Sequence, residues 1–264
     1  MLFTANRGRG MRVRQLWTSC LICLGCHSIS AAPRPTDAGC RTFSNMPVVA
    51  GTLENVPHGS ASAVGSHTHN DLTLAAAAIV KGDDAAACRH LARFLEAHPN
   101  HRNARFYHAE LLLKLGRHAQ SARQFELAIR SEQQEAEPDL KHLVHCHTQL
   151  VRIGETLDDE YGIHLHRGIG MYVLAQQRVV LESPNGDLST ESLLCKATGE
   201  LRRARSLRPG AAQPCWYLYA AWRQLAQPGP ARRCLAETRR RSAYSDLTPA
   251  EQRDLHLTCQ AVYR

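Results

Sequence analysis

The chain has no apolar run of the roughly 20 residues that a bilayer-spanning helix takes, which removes an integral membrane bundle from consideration. It has no phosphate-cradling glycine loop, no Gly-x-Ser-x-Gly elbow and no His-Glu-x-x-His, so nothing in it supports nucleotide, acyl-transfer or zinc-protease chemistry. Lysine is nearly missing. Lys81, Lys114, Lys141 and Lys196 are the only ones among 32 basic residues, the rest being arginine. The formal net charge is +8, but Arg7, Arg9, Arg12 and Arg14 precede the first apolar run and the remainder is only about +4. That is thin ground for a polyanion partner, and no nucleic acid is expected. Cys-x-x-Cys pairs are absent beyond the first 26 residues; the seven later cysteines, an odd number, are no disulfide framework and read as small buried side chains. In an exported protein a pair such as Cys215 and Cys234 could still bridge facing helices.

What is present begins with a basic segment, Arg7 to Arg14, followed by the short apolar stretch Leu16 to Cys26. This is the pattern of a secretory leader, with Met11 an equally good start. The ending Leu24-Gly25-Cys26 resembles a bacterial lipobox, in which Cys26 is lipidated after cleavage; Ala31-Ala32 is a rival ordinary cleavage site. Cys23-Leu24-Gly25-Cys26-His27 also fits the c-type haem attachment spacing. A haem there would sit on a peptide expected in the membrane or removed, so the expected cofactor list is empty. Two alternatives stand beside the exported scaffold: a redox protein of the envelope carrying haem at Cys23, Cys26 and His27, and a cytoplasmic adaptor with a plain N-terminal tail. From His27 to Asn70, Pro33, Pro35, Pro47 and Pro57 lie among small polar residues with no apolar period, as in a flexible linker. The expected division is 1–26 leader, 27–70 linker and 71–264 folded domain.

The domain is organised around Leu72 to Ser131. Two segments superimpose there at a shift of 34: Gly82 on Gly116, Ala78 on Leu112, Ala87 on Ser121, Leu91 on Phe125, with Pro99 closing the first. A 34-residue helix-turn-helix unit with Ala-x3-Phe and a terminal proline resembles the tetratricopeptide repeat. Ala197-x3-Leu201-x2-Ala204 followed by Pro209 resembles its second-helix half, and Ala231-x3-Leu235-x2-Thr238 repeats that 34 residues later. Cys215-x2-Leu218-Tyr219-x2-Trp222 stands where the first-helix pattern belongs, with departures at three positions. Between the outer pairs the period slips: Gly154 is the expected turn glycine but falls 38 residues after Gly116, and a helix from about Asp159 to Leu181 is overlong. Ser183-Pro-Asn-Gly186 signals a turn. Thr248-Pro-Ala-Glu251 reads as a capping box opening a last helix that covers the end of the stack. The resemblance implies an all-α fold, a right-handed superhelical solenoid of four to five units with a C-terminal capping helix.

It also implies a function, namely protein or peptide binding without catalysis, in a bacterial envelope protein of the exported or lipid-anchored type. By resemblance, ligand contacts fall on the first helices: Asn103, Phe106, Glu110, Leu113 and Lys114; Lys141, Val144, Thr148 and Arg152; then Gln213, Trp216, Arg223 and Gln224. Aromatic residues among cations suit an extended peptide, although Phe106 and Trp216 serve equally well as packing between units. Charge is segregated, with eight acids against two bases from Ser131 to Glu160 and ten arginines against two glutamates from Glu200 to Arg241. Opposed patches of this kind guide partners or copies, or are simply solvated. His142, His145 and Cys146 share a helix face, but their spacing fits no standard zinc module and 15 histidines are spread along the chain. No metal is expected.

Overall fold

The computed structural model describes residues 64–181, 189–242 and 246–262. The leader with Cys23, Cys26 and His27, most of the linker, and the Ser183–Gly186 turn lie outside them. The described residues form helices without a strand: α1 Val64–Val80, α2 Asp84–Ala97, α3 Arg102–Lys114, α4 His118–Glu132, α5 Leu140–Leu157, α6 Glu160–Leu181, α7 Thr190–Leu207, α8 Gln213–Gln224, α9 Pro228–Arg241 and α10 Pro249–Val262. Each of α1 to α9 packs on its neighbour in sequence, the arrangement of an all-α helical repeat. The helix α1 starts at Val64, within the stretch assigned to the linker. None of the described helices is long and apolar enough to cross a membrane.

The repeat signature acts through packing. Ser121 and Ala109 are both fully buried where α3 crosses α4, and the Ser121 hydroxyl donates to the Ala109 carbonyl at 2.8 Å. Small side chains there let the backbones approach, and Phe125, also fully buried, fills the space beside them. Ala197, Leu201 and Ala204 do the same on α7, and Ala231, Leu235 and Thr238 on α9. Cys215 and Cys234 are free buried thiols; the Cys215 sulfur accepts a hydrogen bond from Arg241 Nη1 at 2.9 Å.

Four helices end in one way. A left-handed residue closes the helix, and the next amide reaches back five residues: Asp83 N to Ala78 O at 2.9 Å, Arg117 N to Leu112 O at 2.9 Å, Asp159 N to Gly154 O at 3.0 Å, and Gln227 N to Trp222 O at 2.9 Å. This is the Schellman closure. Its left-handed position is held by Gly82, Gly116, Asp158 and Ala226, with φ of +76°, +69°, +54° and +53°. Gly154 is therefore not the turn glycine. It is buried inside α5, where a Cβ would come 2.9 Å from Ile163 Cγ1 on α6, so its role is close approach between helices. Asp158 ends α5, and α6 opens at Glu160. Alanine at Ala226 is strained by the Cβ that glycine lacks. Ala226→Gly is expected to raise stability by about 0.5–1 kcal/mol, read as a higher midpoint in urea with an unchanged slope.

The irregular middle is a three-helix unit. The helix α6 packs along both α5 and α7, serving as second helix to one and first helix to the other. Between the closures at Asp158 and Ala226, 68 residues or two periods apart, the described residues accordingly form three helices, α6, α7 and α8, where two ordinary repeats would supply four. At the α6–α7 crossing Gly168 is so close to Leu201 that a Cβ would meet its Cγ at 2.7 Å and its backbone N at 3.2 Å.

Candidate ligand groove

The sequence-assigned contact residues fall into two groups. The first lies where α3 meets α5. Phe106 is edge-on to Phe125 at 5.9 Å and packs on the rings of His142 at 4.5 Å and His145 at 5.1 Å. It is half-buried against the central core. His142 Nδ1 contacts Glu132 at 3.0 Å; that carboxylate is fully buried and also accepts from Arg102 at 3.1 Å and from the Asp139 amide at 2.6 Å. Glu132 thus ties α3, α4 and the start of α5 together. His145 Nε2 meets Glu110 at 2.8 Å. Leu113 packs against the core and Lys114 turns back to Asp84 on α2 at 3.5 Å. Lys141, Val144 and Thr148 are half-buried; Asn103 and Arg152 are exposed.

Cys146 is buried on the core side of α5, where desolvation pushes its thiol well above the ordinary range. His147 points to α6 and meets His166, Nδ1 to Nδ1, at 3.2 Å. His142, His145 and Cys146, and His147 beside them, are thus directed to different surroundings, and among the described residues no group of three or more His, Cys, Asp or Glu side chains converges as a metal site would require.

The second group surrounds α8. Trp216 is buried and stacks beside Tyr219 at 5.5 Å. Arg223 Nη1 donates to the Tyr219 hydroxyl at 3.2 Å, and Gln224 Nε2 reaches the Tyr172 hydroxyl of α6 at 3.5 Å. Between α6, α8 and α10 is a cleft of about 510 Å³, lined by Tyr172, Trp216, Tyr219 and Arg223 and, from α10, by Asp254 and Leu257. Leu257 is 62% exposed, an apolar side chain on the cleft that the fold does not use.

Helix α10 is placed by a polar network. Thr248 and Glu251 form the expected capping box, Thr248 N to Glu251 Oε2 at 2.8 Å and Glu251 N to Thr248 Oγ1 at 3.3 Å. Glu251 also accepts from the Tyr217 hydroxyl at 2.7 Å and from Gln213 Nε2 at 3.3 Å. The Tyr217 hydroxyl accepts in turn from Gln133 at 3.3 Å, and Thr248 Oγ1 donates to Gln133 Oε1 at 2.9 Å. The last helix is thereby fastened to α8 and to the end of α4. Just before it, Asp246 accepts from the amides of Ala212 at 2.9 Å and Gln213 at 3.1 Å, capping α8 from outside because Ala212 has no side chain to do so. Burial pushes the Glu251 carboxyl above its usual range, opposed by the hydrogen bonds from Tyr217, Thr248 and Gln213. Glu251→Ala removes the capping box and leaves the buried Tyr217 hydroxyl without its acceptor. It should cost about 2–3 kcal/mol and speed tryptic cleavage at Arg253; unchanged cleavage would mean that α10 is held by its apolar contacts alone.

The sequence pattern points to Gln213, Trp216, Arg223 and Gln224 around α8 and to the Thr248–Glu251 capping box, but not to Tyr172 of α6 or to Asp254 and Leu257 of α10 as walls of the cleft. Tyr172 could have been found had α6 been read as a first helix as well as a second. The arrangement offers aromatic surface, one exposed cation and one carboxylate on α10, with no nucleophile set beside a base. The thiol of Cys215, the residue before Trp216, is pushed up to about 12 by desolvation.

No family model matches the chain, and no curated protein matches it. Among solved structures it is similar to a crystal structure of the MamA protein, with a TM-score of 0.34 and 12% identity over 68% of this chain and 93% of that one. MamA 41-end from Desulfovibrio magneticus RS-1 gives 0.31 and 13% identity over 70% of this chain and 100% of that one.

Proposed function

We propose that the protein is a non-catalytic binding scaffold that takes an extended peptide segment of a partner protein in the cleft between α6, α8 and α10. The observation that supports this most directly is the cleft itself: three aromatic residues, Tyr172, Trp216 and Tyr219, with Arg223 at the rim and the exposed Leu257 opposite. Aromatic walls give apolar area at low entropy cost, and a guanidinium beside them reads a carboxylate or a peptide carbonyl. The leader pattern supports export to the cell envelope, with lipid on Cys26.

Selecting a displayed peptide library on the full chain tests the reading. Enriched peptides, measured by calorimetry, should bind Leu257→Glu and Arg223→Ala at least tenfold more weakly than the parent. An absence of enrichment, or equal binding to both variants, removes the cleft as the site. Export is tested separately by the intact mass of the protein expressed with its own leader: loss of residues 1–25 with a diacylglyceryl addition supports it, and a full-length soluble product ends it.

A further inference from the structure

Helices α7 and α9 border each other, since Arg205 of α7 reaches Glu237 of α9 at 3.3 Å. Their outward faces carry Arg202 and Arg203 on α7 and Arg232, Arg233 and Arg240 on α9, all exposed. A solvated helix face normally sets acids against bases at i,i+4. Here the acids are already engaged. Glu237, the one carboxylate of α9, is held by Arg205 and by Arg241. Glu200 of α7 is held by His164 at 2.7 Å with Arg167 at 4.0 Å, and Glu191 is at the far end, in the first turn of α7. Arg208 is likewise occupied, lying over the Tyr161 ring at 4.0 Å and beside Asp159 at 3.8 Å. The five outward arginines have no carboxylate partner among the described residues, and none of them lines the cleft.

We infer that the outward face of α7 and α9 is a second docking surface, and that its ligand is a short acidic segment of a partner protein. Guanidinium forks match carboxylates in paired hydrogen bonds, and five of them over two adjacent helices suit a run of glutamates or aspartates. Two other polyanions fit less well. A nucleic acid extends beyond five cations, and at the end of α7, where Arg208 meets Asp159, the neighbouring Asp158 and Glu160 are exposed acids. An anionic bilayer surface is held by basic charge best when apolar side chains insert beside it, and none of the large exposed hydrophobic residues is on α7 or α9. The inference does not rest on the cleft reading.

The test uses the full chain and a fluorescein-labelled peptide of alternating glutamate and glycine, twelve residues long, at 150 mM NaCl. Binding should weaken about tenfold in R202Q/R203Q and about tenfold in R232Q/R233Q/R240Q, because the peptide spans both helices. The unfolding midpoint should not move, since these exposed side chains make no hydrogen bond or ion pair among the described residues. R123Q/R130Q on α4, which removes two arginines elsewhere, should bind as the parent does. Failure of the peptide to bind, equal loss in R123Q/R130Q, or unchanged binding in either patch variant overturns the inference. So does binding of a 20-base-pair duplex, or of vesicles with 30% phosphatidylserine, at lower protein concentration than the peptide needs.

Discussion

Gly168→Val is expected to destabilise the protein by about 3 kcal/mol or more, at the upper end for overpacking a close helix crossing. The first added atom would stand 2.7 Å from Leu201 Cγ and 3.0 Å from its Cδ2, and Leu201 is fully buried with nowhere to move. The backbone N of Leu201 at 3.2 Å closes the remaining direction. Relief therefore requires α6 and α7 to separate. Because α6 is shared between α5 and α7, separating them loosens both halves of the three-helix unit, and cooperativity should suffer along with the midpoint. Gly199 supplies the control. It is exposed on α7 with nothing within 4 Å of a Cβ, so Gly199→Ala should gain about 0.5–1 kcal/mol from helix propensity alone. Urea titrations of the pair decide the matter: two shifts of the same sign would show that the crossing has room to relax.

This crossing also marks where the sequence stops being readable. The outer pairs were legible because small residues at the crossings and a large one between them, Ser121 with Phe125 or Ala197 with Leu201, recur with the 34-residue period and have one packing solution. In α6 apolar residues serve two neighbours at once. Leu165, Ile169 and Val173 belong to the central core, while Ala175 joins Leu193, Leu194 and Ala221 in a separate cluster. A helix buried on two sides loses the one-faced pattern by which helices are assigned to a repeat. Gly154 misled for a related reason: in sequence a glycine after an apolar period reads equally as a turn or as a close contact, and only the left-handed Asp158 distinguishes them. The cleft was legible on α8 alone. Its other walls depend on Gln133 meeting Tyr217 and Thr248, contacts 84 and 115 residues apart, which local patterning does not encode.

The fold should lose stability steeply as pH falls from about 6.5 towards 4, through three histidines it keeps uncharged. His108 and His166 are lowered from 6.5 to about 4, and His147 is also held well below its ordinary value, in each case chiefly by desolvation, with neighbouring Arg117 and Arg105 adding to the effect at His108 and His166 at His147. The His147–His166 contact gives this a geometric basis. At 3.2 Å one Nδ1 must donate and the other accept, so a second proton places two N–H groups against each other and a charge between α5 and α6. Below 6.5 the unfolded chain takes up these protons and the folded one does not. Stability is then full above 6.5, declines with decreasing pH at up to about 1.4 kcal/mol per unit for each histidine, and levels off once the folded values are reached. For His108 and His166 the window from 6.5 to 4 is worth roughly 3 kcal/mol apiece, together comparable with the whole stability of a typical domain, about 5–15 kcal/mol. Glu251 works in the opposite sense, its raised carboxyl easing the cost of burial as it protonates, and offsets part of the loss at the acid end. Acid unfolding followed by circular dichroism should therefore begin well above the carboxylate range, with an apparent midpoint near pH 5. His108→Gln should reduce the proton uptake on unfolding by about one, seen as a shallower dependence of the urea midpoint on pH between 6.5 and 5. A midpoint flat from pH 7 to pH 5 would mean that water reaches these rings and that α3, α5 and α6 pack less tightly than their side chains indicate.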